Sequence, residues 1–158
     1  MFGLLSSKRH QKLAEHIVAT AIASPDLVVS TIVEVCPDFN HLFDGNPDEW
    51  ARIWSAICIF DAIMRLSAKI APKDLESTMN YVEVLVRDAP KLGFLGNERF
   101  KEWMTYYAAN KPTGLQRCIG SWVLEKSENS CFQDKGPEYL CSLGRGIMSQ
   151  VAELHRDL

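Results

Sequence analysis

Hydrophobic positions recur at three- and four-residue spacing along most of this chain, and they crowd most densely between Asn46 and Ile70. The start of that stretch carries helix-start chemistry. Asn46 can accept a bond from an unpaired helix NH, and Pro47 follows where a missing NH costs nothing. Glu49, three residues after Asn46, completes a capping-box pattern. Asp48 and Glu49 also set negative charge at the positive end of the helix dipole. Projected at about 100° per residue, Ile57, Ile59, Phe60, Ile63, Met64, Leu66 and Ile70 fill half the circumference, and Asp61, Arg65 and Lys69 form a narrow polar stripe opposite. An arc that wide meets more than one neighbour, so this helix is expected at the centre of the fold. Its charges recur every four residues, which leaves no run near the ~20 apolar residues a bilayer requires.

The remaining pattern is also helical. A first helix is predicted from about Ser7 to Ala23, with rows Leu13, Ile17, Ala21 and Ala14, Val18, Ile22. Ser24-Pro25-Asp26 then reads as the cap and acidic first turn of another helix. The segment 27–35 is rich in β-branched residues and could be a buried strand. Its helical row spacing and its helix-like start favour helix, and no other segment offers a strand partner. Pro37 ends it, and 38–44 reads as a turn. Ala71-Pro72 breaks the chain after the central helix. Lys73 to Ala89 is amphipathic, Pro90 to Gly96 a loop, and Asn97 to Ala109 a helix carrying Phe100, Trp103, Met104 and Tyr107. Thr113 as cap with Gln116 begins the next helix, lined by Leu115, Ile119 and Trp122. Ser127 to Gly136 is mostly polar and loop-like, and a last helix is predicted from Pro137 to about Arg156. These elements predict an all-α chain with one domain over 1–158: a single compact bundle of six or seven helices around the central helix at about 46–70. No internal repeat is present.

The chain has 158 residues, enough for one sizeable core. A net charge of −3 argues against a dedicated nucleic-acid binder. The five cysteines (Cys36, Cys58, Cys118, Cys131 and Cys141) are odd in number and have no CxxC spacing. They read as reduced, mostly buried thiols of a cytoplasmic protein. At the N-terminus the apolar residues precede the basic ones, the reverse of a secretory signal.

No cluster of residues stands out as a catalytic, metal or nucleotide site. There is no Glu-x-x-His for a di-iron centre, and His10, His16, His41 and His155 are scattered. Asp38, His41 and Asp44 are the best ligand-like group, but they also suit a solvated capping turn. Nucleophile and phosphate-loop motifs are missing. Gly144-Arg145-Gly146 lies mid-helix, where Ser142, Gly146 and Ser149 form a small-residue row suited to close helix approach. A helical glycine costs up to ~1 kcal/mol, so a packing reason is expected. Lys8, Arg9, His10 and Lys12 form a basic cluster read as the first turn of the first helix, against the dipole. With Phe2, Leu4 and Leu5 it could touch an acidic partner, RNA or a membrane surface.

The leading expectation is a non-catalytic domain acting through protein–protein binding, in an adaptor, regulator, chaperone-like or immunity role. Its partner is another protein or a second copy of the chain, with no nucleic acid, metal or cofactor expected. The candidate contact residues are Phe94 and Leu95 on the loop, Tyr106 and Trp50 among the aromatics, and Lys8 and Arg9 near the N-terminus. The alternative is a ligand-binding or enzymatic domain with a pocket between helices, drawing on Asp61, Arg65, Glu83, Arg117 or a histidine. Asp61 is the discriminating residue. It is expected on the exposed stripe as an i, i+4 pair with Arg65; if buried, its pKa would rise unless a cation holds it.

Overall fold

The chain nucleates its central helix as the Asn46 cap predicts. The Asn46 side chain accepts the Glu49 amide at 3.1 Å, and helix α2 runs over Pro47–Ser67. In the computed structural model the backbone is described for residues 2–35, 37, 46–127 and 134–156, with side chains from 7 to 24 and through the later segments. Besides α2, the described elements are α1 (Phe2–Val35), α3 (Pro72–Asp88), α4 (Gly93–Asn110), a 3-10 turn at Lys111–Thr113, α5 (Leu115–Lys126) and α6 (Pro137–Leu154). All are helical. α2 touches each of the other five helices and is buried on every side from Ile53 to Ala62. A helix apolar nearly all round is one the fold encloses. Met64, placed in the apolar arc by the sequence pattern, is instead half exposed, because the enclosure ends before it.

α1 corrects the expected break at Ser24. It is one helix of 34 residues, starting at Phe2 and passing straight through Pro25, so 27–35 is helix and not strand. Proline has no NH for the carbonyl four residues back, here Ala21. The Ser24 hydroxyl takes that place, donating to the Ala21 oxygen at 2.8 Å. The serine that reads as the cap of a new helix therefore repairs the old one. Lys8 and Arg9 consequently sit beyond the first turn, where the dipole no longer acts on them.

α4 also begins earlier than expected. Gly93 adopts φ +54, a conformation that reverses the chain after Ala89 and starts the helix four residues ahead of Asn97. Asn97 is not a cap. It is buried and its amide donates to the Glu83 carbonyl at 2.9 Å, tying α4 to α3. Thr113 does not cap α5 either, since its hydroxyl donates back to Asn110 and Gly114 holds the cap position.

Packing is tightest between α5 and α6. A Cβ on Gly144 would overlap the Gln116 carbonyl, and one on Gly120 would overlap the Leu140 carbonyl. Close approach between α5 and α6 is thus made by Gly120 and Gly144. Trp103 centres an aromatic cluster with Phe60, Tyr106, Tyr107 and Trp122 that joins α2, α4 and α5. Charges cross the same interface. Glu49 pairs with Arg52 and Arg99, Arg99 with Glu102 at 2.8 Å, and Glu102 with Lys126 at 3.1 Å.

Gly144→Ala is expected to cost at least about 1–3 kcal/mol, the range for overpacking. Gly136→Ser has open space and a cap position to fill, so it should stay within about 0.5 kcal/mol of wild type or gain stability. Urea unfolding of both variants checks the pair.

Candidate partner-binding groove

One face of α1 carries Arg9, Lys12, Leu13 and His16 at helical spacing, so all four point to one side. Opposite them the C-terminal end of α2 supplies Leu66, and the turn that follows it supplies Lys69 and Ile70. The Lys69 and Ile70 amides both donate to the Leu66 carbonyl, at 2.8 and 2.9 Å, which turns Ile70 back across the opening. Together these seven residues line a groove of about 520 Å³. Its floor is apolar: Leu66 is buried, and Leu13 and Ile70 are half-buried. Its rim is basic, and no carboxylate among the described residues lines it. Among the described residues, no acidic side chain pairs with Arg9, Lys12 or His16.

The polar stripe of α2 leads into this groove, and burial changes along it. Asp61 is 5 % exposed, Arg65 partly exposed and Lys69 exposed. The expectation of an exposed Asp61 is therefore wrong, although its pair with Arg65 forms, with Arg65 Nε donating to Oδ2 at 2.6 Å. The end of α6 covers the stripe at Asp61. His155, fully buried, brings Nδ1 to 3.0 Å from the same Oδ2. Nδ1 must carry the proton, because a carboxylate only accepts. Burial alone would raise the Asp61 pKa. The bonds from His155 and Arg65 and their charge outweigh it and hold the carboxyl below its ordinary 3.8. His155 Nε2 is buried without a partner among the described residues.

One turn before Asp61, Cys58 is fully buried with Sγ 3.6 Å from Ser24 Oγ. Ser24 spends its only proton on Ala21, so the thiol donates. Burial pushes the Cys58 thiol up to about 12; the Ser24 contact opposes this and the charge of Asp61 adds to it. Such a thiol is not a nucleophile at neutral pH. Cys118 is buried and free, and Cys141 is free and half-buried. Cys36 and Cys131, and the Asp38–His41–Asp44 group, lie outside the described residues. Among the described residues no three His, Cys, Asp or Glu converge for a metal. A second recess of about 400 Å³ lies between α1 and α3. In it His10 Nε2 meets Asp74 at 3.2 Å and Ser7 Oγ meets the Tyr81 hydroxyl at 2.7 Å.

The structure scatters the candidate contact residues. Arg9 lines the groove, while Lys8 is exposed outside it. Phe94 and Leu95 are exposed, at 61 % and 46 %, on the first turn of α4 and not on a loop. Trp50 is buried against Trp54, centroids 5.2 Å apart, and presents no ring to a partner. Tyr106 is half-buried and turned to α5. Burial raises its phenol pKa, against a bond to Ser121 that lowers it. Glu83 pairs with Lys101 at 3.8 Å, and Arg117 is exposed. Neither is near Asp61 in a shared pocket. The groove residues Lys12, Leu13, His16, Lys69 and Ile70 do not stand out individually. Their signal is the spacing 9, 12, 13, 16 beside a stripe that ends at Lys69.

Comparison with known proteins supplies no relative: no protein-family model, no curated protein and no solved structure matches the chain. No described helix is long and apolar enough to cross a membrane.

Asp61→Asn removes the counter-charge of Arg65 and the charged acceptor of the His155 Nδ1–H bond, and should cost about 3 kcal/mol at neutral pH, the low end for a broken buried pair because Arg65 can turn to water. A depressed carboxyl means the unfolded chain binds more protons between the folded value and 3.8. The stability Asp61 contributes is therefore present at neutral pH and lost as pH falls through that window. The gap between wild type and Asp61→Asn should narrow in acid, as urea titrations across pH will show. Separately, Cys58 should resist iodoacetamide at about pH 8 in the folded protein and react only on unfolding, because thiolate supply controls alkylation; peptide mass spectrometry of the alkylated chain reads this out.

Proposed function

We propose that this chain is a non-catalytic helical domain that works by binding another protein, with the groove between α1 and the end of α2 as its main contact. The observation that carries the reading is that Arg9 and Lys12, with no acidic partner among the described residues, stand beside an apolar floor. On a chain of net charge −3 carboxylates are plentiful, yet none among the described residues lines this groove. An apolar recess with a polar rim is the anatomy of a protein contact. The acid and the thiol at the centre of the core are already committed. Asp61 is held by two bases and Cys58 is held protonated, which suits structural roles better than chemistry. Phe94 and Leu95 offer a second, smaller surface of the same kind. A cytoplasmic location fits the free thiols of Cys58, Cys118 and Cys141.

A ligand-binding domain is the second reading, favoured by the α1–α3 recess with its paired His10–Asp74 and Ser7–Tyr81 groups. It differs in what leaves the cell with the protein.

Quantitative affinity capture, run beside native mass spectrometry on wild type and an Arg9→Glu/Lys12→Glu double variant, tests both. Protein binding predicts a stoichiometric protein partner retained by wild type and reduced at least about tenfold on the variant, ~1.4 kcal/mol or more. A small-molecule adduct that survives the double variant, without a protein partner, overturns this reading in favour of the recess.

A further inference from the structure

We infer that the groove seats an acidic amphipathic helix of a partner protein, with one apolar side chain entering between Leu13, Leu66 and Ile70 and carboxylates reaching Arg9 and Lys12. The inference rests on the protein-binding reading above and adds the partner's chemistry and conformation.

Charge chooses the sign of the occupant. Arg9, Lys12 and His16 stand at i, i+3 and i+7 on one face of α1, a rim about 10 Å long at 1.5 Å per residue on which Arg9 and Lys12 carry the charge and His16 adds a polar ring. No carboxylate among the described residues neutralises it. An acidic segment of two to three turns would match that length. Relief chooses between a protein and a bilayer. The apolar floor is recessed beneath the rim, with Leu66 only 4 % exposed. Membrane surfaces are gripped by apolar side chains that protrude; a recess calls for a side chain supplied from outside. Composition disfavours RNA, because among the described residues no aromatic ring lines the groove to stack on a base. Backbone chemistry chooses a helix over an extended strand. The α1 wall is helix with its NH and C=O groups paired internally, and past the end of α2 the Lys69 and Ile70 amides are both spent on the Leu66 carbonyl, so a strand docked here would find no alternating ladder partners. A helix brings its own hydrogen bonds and needs only a side-chain seat.

The test is an unbiased display library of helical peptides selected on the full-length chain. Affinities of the selected peptides are read by fluorescence anisotropy, and contacts by amide shifts in ¹⁵N–¹H spectra. The expected peptides carry an apolar residue flanked by Asp or Glu three and four positions away. They should shift the amides of Leu13, Leu66 and Ile70 and weaken as salt rises toward screening conditions. Affinity should fall at least about tenfold on Arg9→Glu/Lys12→Glu and return when the peptide's acids are replaced by lysines. Circular dichroism checks that the variant keeps its helices, as surface charge changes should allow. Neutral or basic winners, or acidic winners that bind the variant equally, overturn the inference. Winners that shift Phe94 and Leu95 instead overturn it while leaving protein binding intact. Retention on phosphatidylserine vesicles or poly-uridine with no peptide selected removes both. A dimer of the chain that disappears on the double variant makes the occupant a second copy and likewise overturns it.

Discussion

Enclosing α2 on every side obliges the bundle to deal with Asp61, the one acidic residue inside the enclosed stretch. A bare carboxylate there would be prohibitively costly, and a protonated one would still need a partner. Arg65 answers from the next turn of the same helix, and His155 answers from the far end of the chain. The second bond matters more for architecture, because it fixes where α6 must finish. With α6 held there, its other end lies backbone to backbone with α5, and α5 meets α4 through Trp103 and Trp122. The surrounding helices are thus arranged about a charge as well as about an apolar core. Arg65 is also where buried stripe becomes exposed rim, so the interaction that closes the core marks where the groove begins.

The fold was largely legible because its punctuation is strong. Asn46-Pro47-Asp48-Glu49, Pro72, Pro90 and Gly136-Pro137 all mark helix ends or starts, and the apolar rows between them keep one period. Reading failed where a residue does something other than its local habit. Ser24 and Asn97 are favoured cap residues, but one replaces the hydrogen bond Pro25 lacks and the other binds across to Glu83. Each outcome depends on a carbonyl whose availability only the assembled helices reveal. The groove was less legible still. Arg9 was singled out for charge and Lys69 as part of a stripe, yet nothing in sequence spacing says that residues 60 positions apart share a recess. Asp61 shows the same limit. Its pair with Arg65 follows from i, i+4 spacing, while its burial follows from His155, which is 94 positions away.

α1 serves two neighbours with two faces. His10 turns into the bundle toward Asp74 of α3, while Arg9, Lys12 and His16 turn outward. Both faces lie on the same turns of α1, so helix geometry sets the spacing of the rim without help from loops. Local positive charge on a mildly acidic chain then has a kinetic meaning too: long-range repulsion of acidic proteins by the whole molecule is offset only when they approach this face.

The contact of α5 with α6 sets a limit of another kind. Where side chains interlock, a lineage can drift by exchanging a large residue for a small one across the interface. Where two main chains touch, as at Gly120 and Gly144, there is no side chain opposite to shrink. Those two positions have an alphabet of one letter, whereas the exposed rim residues of the groove, Arg9, Lys12 and His16, can vary in size and charge. The fold can therefore be inherited unchanged while its choice of partner evolves.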